Sequence, residues 1–189
     1  MNKKTDIVNT ARALFSQFGL KKVTTDDIAR ESGISKATIY KYFRNKSDIL
    51  NSVVDLETEI LLKKINRAVA GADSVLDKLK AYLLTKITTV HELINFYHVT
   101  REYSNPYWPY IEEARNKFMS AEKKIMAKIL RAGNKNNELA VDNIELAASI
   151  IITSLKSHEY EWSIQEHNIT LEKYIDFMIN TIINGIGKR

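Results

Sequence analysis

The sequence contains no cysteine, and only two prolines and six glycines among 189 residues. Without a thiol the chain cannot build a disulfide framework, a cysteine-ligated zinc site, an iron–sulfur cluster or a thiol nucleophile, and this absence suits a reducing cytoplasm. So little proline and glycine excludes collagen-like and linker-dominated architectures. Long apolar runs are also missing. The most apolar stretch, Leu146 to Leu155, spans ten residues, about half of what crossing a bilayer requires. Asp6, Asn9 and Arg12 interrupt the opening segment, so it does not read as a secretory signal. The expectation is a soluble, cytoplasmic chain with no membrane partner.

Enzymatic signatures are absent as well. The four histidines are His91, His98, His158 and His167. His91 and His98 would stand about 10.5 Å apart along one helix, too far to share a zinc ion at ~2 Å. No HExxH, GxSxG, phosphate-loop or EF-hand spacing occurs. Gly185-Ile186-Gly187 has no preceding strand and reads as a helix stop. No catalytic residue, metal site, cofactor or enzymatic activity is expected.

What is present is charge with an uneven distribution. Residues 1–50 hold ten basic and five acidic side chains, whereas residues 51–189 hold 18 of each, so the whole net charge of +5 lies in the first quarter. Such asymmetry points that end of the chain toward a polyanion, although a solvated lysine-rich end would count the same way.

The apolar pattern is helical throughout, with no convincing strand alternation. Ile7, Ala11, Leu14, Phe15 and Phe18 keep helical spacing up to Gly19. Thr24-Thr25 ahead of Asp26-Asp27 reads as an N-cap with two carboxylates at the positive end of a helix. Gly33 ends that helix, Ser35 caps the next through about Phe43, and Asn45 or Ser47 opens one running to about Val69. Further helices are expected from Ser74 to about Tyr103 with a break near Glu92 to Asn95, from Tyr107 to Gly133, from Asp142 to Trp162, and from Thr170 to Gly185. The fold class is all-α with about nine helices: a helix-turn-helix domain over residues 1–46 and a larger helical body over residues 47–189.

Residues 25–43 read as helix, glycine turn, helix. Ile28, Ala29, Ile34, Ile39 and Phe43 can pin the pair to the preceding helix, which leaves Lys36, Ala37, Thr38, Tyr40, Lys41 and Tyr42 outside. Small and polar side chains on the first turn suit a helix entering a major groove, and Lys, Thr and Tyr can donate to phosphate oxygens. An ordinary helical hairpin shows the same outline. The coincidence of this pattern with the net-positive segment favours the first reading.

The run Thr24-Thr25-x-x-Ile28-Ala29-x-x-Ser32-Gly33-Ile34-Ser35-Lys36-x-Thr38-Ile39-Tyr40-x-Tyr42-Phe43-x-x-Lys46-x-x-Ile49-Leu50 closely resembles the signature of the tetracycline-repressor (TetR) family. The resemblance covers residues 7–54. It implies that Thr25 contacts phosphate, that Lys36, Ala37 and Thr38 face bases, that Tyr40 and Tyr42 bind backbone phosphates, and that Lys46 clamps another phosphate. Many members carry glycine at the position of Ala37, which implies a slightly bulkier contact here.

One such motif grips half a site, so a homodimer on double-stranded, pseudo-palindromic operator DNA is expected. Ala147, Ile150, Ile151 and Ser154 on one late helix, and Leu171, Tyr174, Ile175, Met178 and Ile182 on the last, are the candidate interface. The resemblance implies that these two helices pair with their mates in a four-helix bundle. Seven aromatic residues crowd positions 96–118. Family members hold a small effector among the central helices, and Tyr97, His98, Arg101, Tyr103, Trp108, Phe118 and His158 are its candidate contacts, with ordinary core packing as the competing role for each aromatic ring. The resulting expectation is a homodimeric repressor released from its operator by a small, mainly apolar or aromatic effector. The alternative is a DNA-binding regulator without such an effector, controlled by a protein partner or acting as an activator or architectural factor.

Overall fold

A computed structural model describes residues 2–92, 108–164 and 168–186, with side chains over 2–89, 113–155 and 168–183. Eight α-helices and no strand occur among the described residues: α1 (Lys3–Phe18), α2 (Thr25–Glu31), α3 (Lys36–Tyr42), α4 (Lys46–Ala70), α5 (Val75–Glu92), α6 (Trp108–Lys135), α7 (Ile144–Ile164) and α8 (Leu171–Ile186). The chain divides into two compact units, Met1–Ile60 with Leu93–Asn116, and Leu61–Glu92 with Lys117–Arg189.

In the first unit, α1 contributes Ile7, Val8, Ala11 and Phe15, one buried stripe at helical spacing. Ile28 and Ala29 of α2, Ile39 of α3, Phe43, and Ile49, Leu50, Val53 and Val54 of α4 complete this core. Arg12 and Glu57 are charged residues set into apolar stripes. The Arg12 guanidinium donates to the Glu57 carboxylate at 3.0 Å, and Glu57 is only 1% exposed, so the pair ties α1 to α4 and partners a carboxylate that would be expensive to bury alone.

The second unit packs α5 against α7 and α8 around Leu79, Tyr82, Leu83, Ile87, Met126, Leu130, Ile152, Ile175 and Ile179. A second charged pair lies inside it. Lys86 and Glu122 are both buried and ion-paired, the Tyr82 hydroxyl donates to the same carboxylate at 2.5 Å, and the Lys86 ammonium lies 5.6 Å from the Phe118 ring centre. On the surface, Lys80 of α5 meets Asp176 of α8 at 2.7 Å.

Gly133 does not end α6. The helix continues to Lys135, and the left-handed residue after it is Asn137 (φ 58°). Gly133 is instead where Leu139 and Val75 come close: a Cβ there would stand 2.7 Å from Leu139 and 2.8 Å from Val75. Alanine in a helix interior ordinarily gains about 0.5–1 kcal/mol over glycine, whereas overpacking a core costs about 1–3 kcal/mol. Gly133→Ala is therefore expected to lower the melting temperature, as read by circular dichroism; a rise would show that Leu139 gives way freely.

Candidate nucleic-acid interface

The turn between α2 and α3 is built from local chemistry. Thr24 caps α2 through a reciprocal box: its hydroxyl accepts from the Asp27 amide at 3.2 Å, and Asp27 accepts from the Thr24 amide at 2.9 Å. Gly33 takes φ 64°, in the left-handed region that suits glycine, and the Ile34 amide donates to the Ala29 carbonyl at 3.0 Å. Ser35 then caps α3 by accepting from the Thr38 amide at 3.2 Å.

Within α3, Ile39 is fully buried and Phe43 follows it into the core. Ala37 and Lys41, four residues apart, therefore share the opposite, exposed face, and Tyr40 and Tyr42 are 48% and 41% exposed. Thr38 is half-buried, with its hydroxyl 2.9 Å from that of Ser35, so part of its hydrogen-bonding capacity is used in capping. Thr25 opens α2 and is half-buried.

Two of the expected DNA-facing lysines already have partners. Lys36 extends back across the turn to within 2.9 Å of the Asp26 carboxylate, and that hydrogen bond raises its pKa above the ordinary lysine value. Lys46, expected at a phosphate, instead turns inward. Its ammonium donates to the Leu20 carbonyl and lies 5.9 Å from the Phe15 ring centre, and burial lowers its pKa. Lys41 makes no ion pair or side-chain hydrogen bond among the described residues and remains available.

The other expected residues lie in different places. Tyr97, His98, Arg101 and Tyr103 lie outside the described residues, as do the side chains of Trp108 and His158. Phe118 is buried beside Lys86. On α7 and α8, Ile151 and Ile175 are buried within this chain's own core, while Ile150 and Ser154 are exposed and Ala147, Leu171, Tyr174, Met178 and Ile182 are half-buried. Phe177, 73% exposed, extends the apolar surface beyond the expected set, and Leu146, 56% exposed, belongs to the apolar stretch of α7. Phe177 is adjacent to Met178 and one helical turn from Tyr174, so a wider stripe would have captured it. Among the described residues no group of histidine and carboxylate side chains could hold a metal ion, and no helix is long and apolar enough to cross a membrane.

Residues 7–53 match the family model described as bacterial regulatory proteins, tetR family. The amino-terminal segment is thus tetR-like. The chain is 27% identical over 156 residues to the HTH-type transcriptional repressor KstR2 of Rhodococcus jostii, covering 77% of this chain and 72% of that protein. It is 22% identical over 190 residues to the HTH-type transcriptional regulator QacR of Staphylococcus aureus, covering 95% and 98%. The structure of the transcriptional regulator FadR from Bacillus subtilis in complex with stearoyl-CoA superposes with a TM-score of 0.72 at 20% identity, covering 96% of this chain and 98% of that one. The overall helical fold is thus shared with that structure.

The Thr24 and Asp27 bonds hold the Asp27 carboxyl below its ordinary pKa. A folded-state pKa below the unfolded one stabilises the motif above the unfolded value, and that contribution disappears as the pH falls through the folded value. Thr24→Ala is expected to cost about 1 kcal/mol at neutral pH and to flatten the loss of stability below about pH 4. Thermal unfolding between pH 2 and pH 7 checks this; an unchanged acid limb would reject the cap as its origin.

Proposed function

We propose that this regulator is a homodimeric transcriptional repressor that reads a pseudo-palindromic operator with one α2–α3 pair per copy and is released by a small, mainly apolar or aromatic effector. The observation that carries the proposal is the capped α2–α3 pair, with Ala37, Tyr40, Lys41 and Tyr42 exposed on α3 inside the segment matching the family. In this reading residues 1–46 are the DNA-binding head and residues 47–189 the effector-binding and dimerising body. Ala37 and Thr38 approach base edges, where the Ala37 methyl suits a thymine methyl. Tyr40, Lys41 and Tyr42 contact phosphate, with Thr25 at the start of α2. Lys36 joins them only by exchanging Asp26 for the nucleic acid. Lys46 supports the connection after α1 rather than the DNA itself.

The exposed Leu146, Ile150 and Phe177 support pairing of α7 and α8 with their mates, since such apolar surface is stabilised by being covered. The effector reading is supported by the aromatic-rich segment 96–118 and by the long-chain acyl ligand named for the Bacillus subtilis relative. Release is a population shift, which requires the effector to favour the free conformation over the DNA-bound one.

Selection from a random duplex library, followed by footprinting, tests the proposal. Two half-sites with centres about 34–36 Å apart, or a multiple of that spacing, are expected, together with release by apolar or aromatic compounds that also raise the melting temperature. Retention of no duplex at low salt would overturn the function, and a single half-site would overturn the dimer.

The contact assignments separate in salt titrations. Lys41→Ala is expected to weaken binding to all duplexes and to reduce the salt slope by about one, while Tyr42→Phe weakens binding without sequence preference. Lys46→Ala is expected to lower the melting temperature and leave the salt slope unchanged; a slope reduced by about one would return Lys46 to the phosphate contacts.

A further inference from the structure

The solvent-facing side of α6 carries a row of cations that DNA reading by α3 does not use. Lys117, Lys124, Lys128, Arg131 and Lys135 are all exposed and recur at helical spacing. At 100° per residue they fall within about 60° of arc, a strip about 27 Å long. The acidic residue between positions 117 and 135, Glu122, is buried against Lys86 and contributes nothing to this face. Lys124, Lys128 and Lys135 form no ion pair among the described residues, while Arg131 is bonded to Glu145 on α7. Beside the strip runs a shallow groove of about 270 Å³, with Ala127 and Ala148 among its lining and Ser120, Lys123, Lys124, Arg131 and Glu145 around them.

We propose that this face of α6 and the adjoining groove form a docking site for an acidic segment of a partner protein. Like-charged side chains at i,i+4 spacing along one helix face, such as Lys124 and Lys128, repel one another, and a row of carboxylates relieves this turn by turn. An acidic helix laid along α6 matches its 5.4 Å pitch. Two features favour a peptide over a phosphate backbone or a lipid surface. Glu145 on the rim opposes a polyphosphate along its whole length but can accept from the free first-turn amides of a helical peptide or from a basic side chain. The alanines of the groove leave room for an apolar anchor, which a sugar–phosphate backbone does not supply. The site lies wholly in the second compact unit, so its occupation is separate from contact through α3.

Fluorescence anisotropy on the full chain tests the proposal. Its three probes are a labelled 20-residue peptide with glutamate at every third and fourth position and interleaved leucines, a 20-base-pair duplex lacking the operator, and phosphatidylglycerol vesicles. The acidic peptide is expected to bind, and Lys124→Glu with Lys128→Glu to weaken it at least tenfold while leaving the melting temperature and operator affinity within twofold. Lys173→Glu, a reversal at an exposed site on α8, is expected to change peptide affinity less than twofold. Absence of peptide binding overturns the proposal, as does an equal loss in Lys173→Glu, which would mark a general charge effect. Duplex or vesicle binding that depends on Lys124 and Lys128, with the peptide insensitive to them, assigns the face to that polyanion and also overturns it.

Discussion

A helix of seven residues such as α3 cannot hold itself together. Nucleating a helix is unfavourable, and isolated segments much shorter than about 12 residues are marginal in water, so α3 exists because Ile39 and Phe43 are buried. Everything the head presents outward depends on that burial. Fixing Ile39 inward dictates that Ala37 and Lys41 point outward, and the Ser35 cap and Gly33 turn set where the helix starts. The same core also draws in cations from the periphery. Lys4 lies 5.6 Å from the Phe43 ring centre, and Lys46 lies against Phe15, so part of the segment's positive charge helps cover its aromatic residues.

This changes how the charge of the amino-terminal segment should be understood. Ten basic residues against five acidic ones describe the long-range field, which steers a polyanion toward the head. They do not say which cations make contact. Lys36 is bonded to Asp26, Arg30 to Asp27 at 2.5 Å, Arg12 to Glu57, and Lys46 to a carbonyl. Net charge counts all of them equally, but only side chains that can leave their partners at little cost can exchange them for phosphate. Lys41 loses nothing by doing so, Lys36 must give up an exposed carboxylate, and Lys46 would leave a half-buried carbonyl behind.

Much of the head was legible in the sequence because its rules are local. The Thr24 and Ser35 caps, the Gly33 turn and the alternation that buries Ile28 and Ile39 each depend on residues within a few positions, and the structure follows them. The body was less legible because its determinants are tertiary. Gly133 looked like a helix stop, yet its role is set by Leu139 and by Val75, nearly sixty residues away. Ile151 and Ile175 belonged to apolar stripes, but a stripe alone does not say which of its members the chain's own core takes up; Ile151 and Ile175 are buried, whereas Ile150 and Phe177 stay exposed. The two ion pairs did leave a trace. Arg12 lies between Val8 and Phe15, Glu57 between Val53 and Leu61, and Glu122 between Phe118 and Met126, each a charge inside an apolar stripe. Oppositely charged intruders of this kind must find each other, because burying either alone costs more than the fold can offset.

Charge cancellation over residues 51–189 conceals a second consequence of the same physics. Eighteen cations against eighteen anions suggest an electrostatically featureless body, but a sum has no geometry. Burial takes Glu122 out of the surface field, and Glu138 is occupied by the Val75 amide at 2.9 Å, while the lysines of α6 stay in solvent. Screening limits exposed charges to interactions within about 8–10 Å, so distant acidic residues cannot neutralise that helix face however evenly the total balances. What a passing partner meets is the local row of cations, and the neutrality of the whole body does not weaken it.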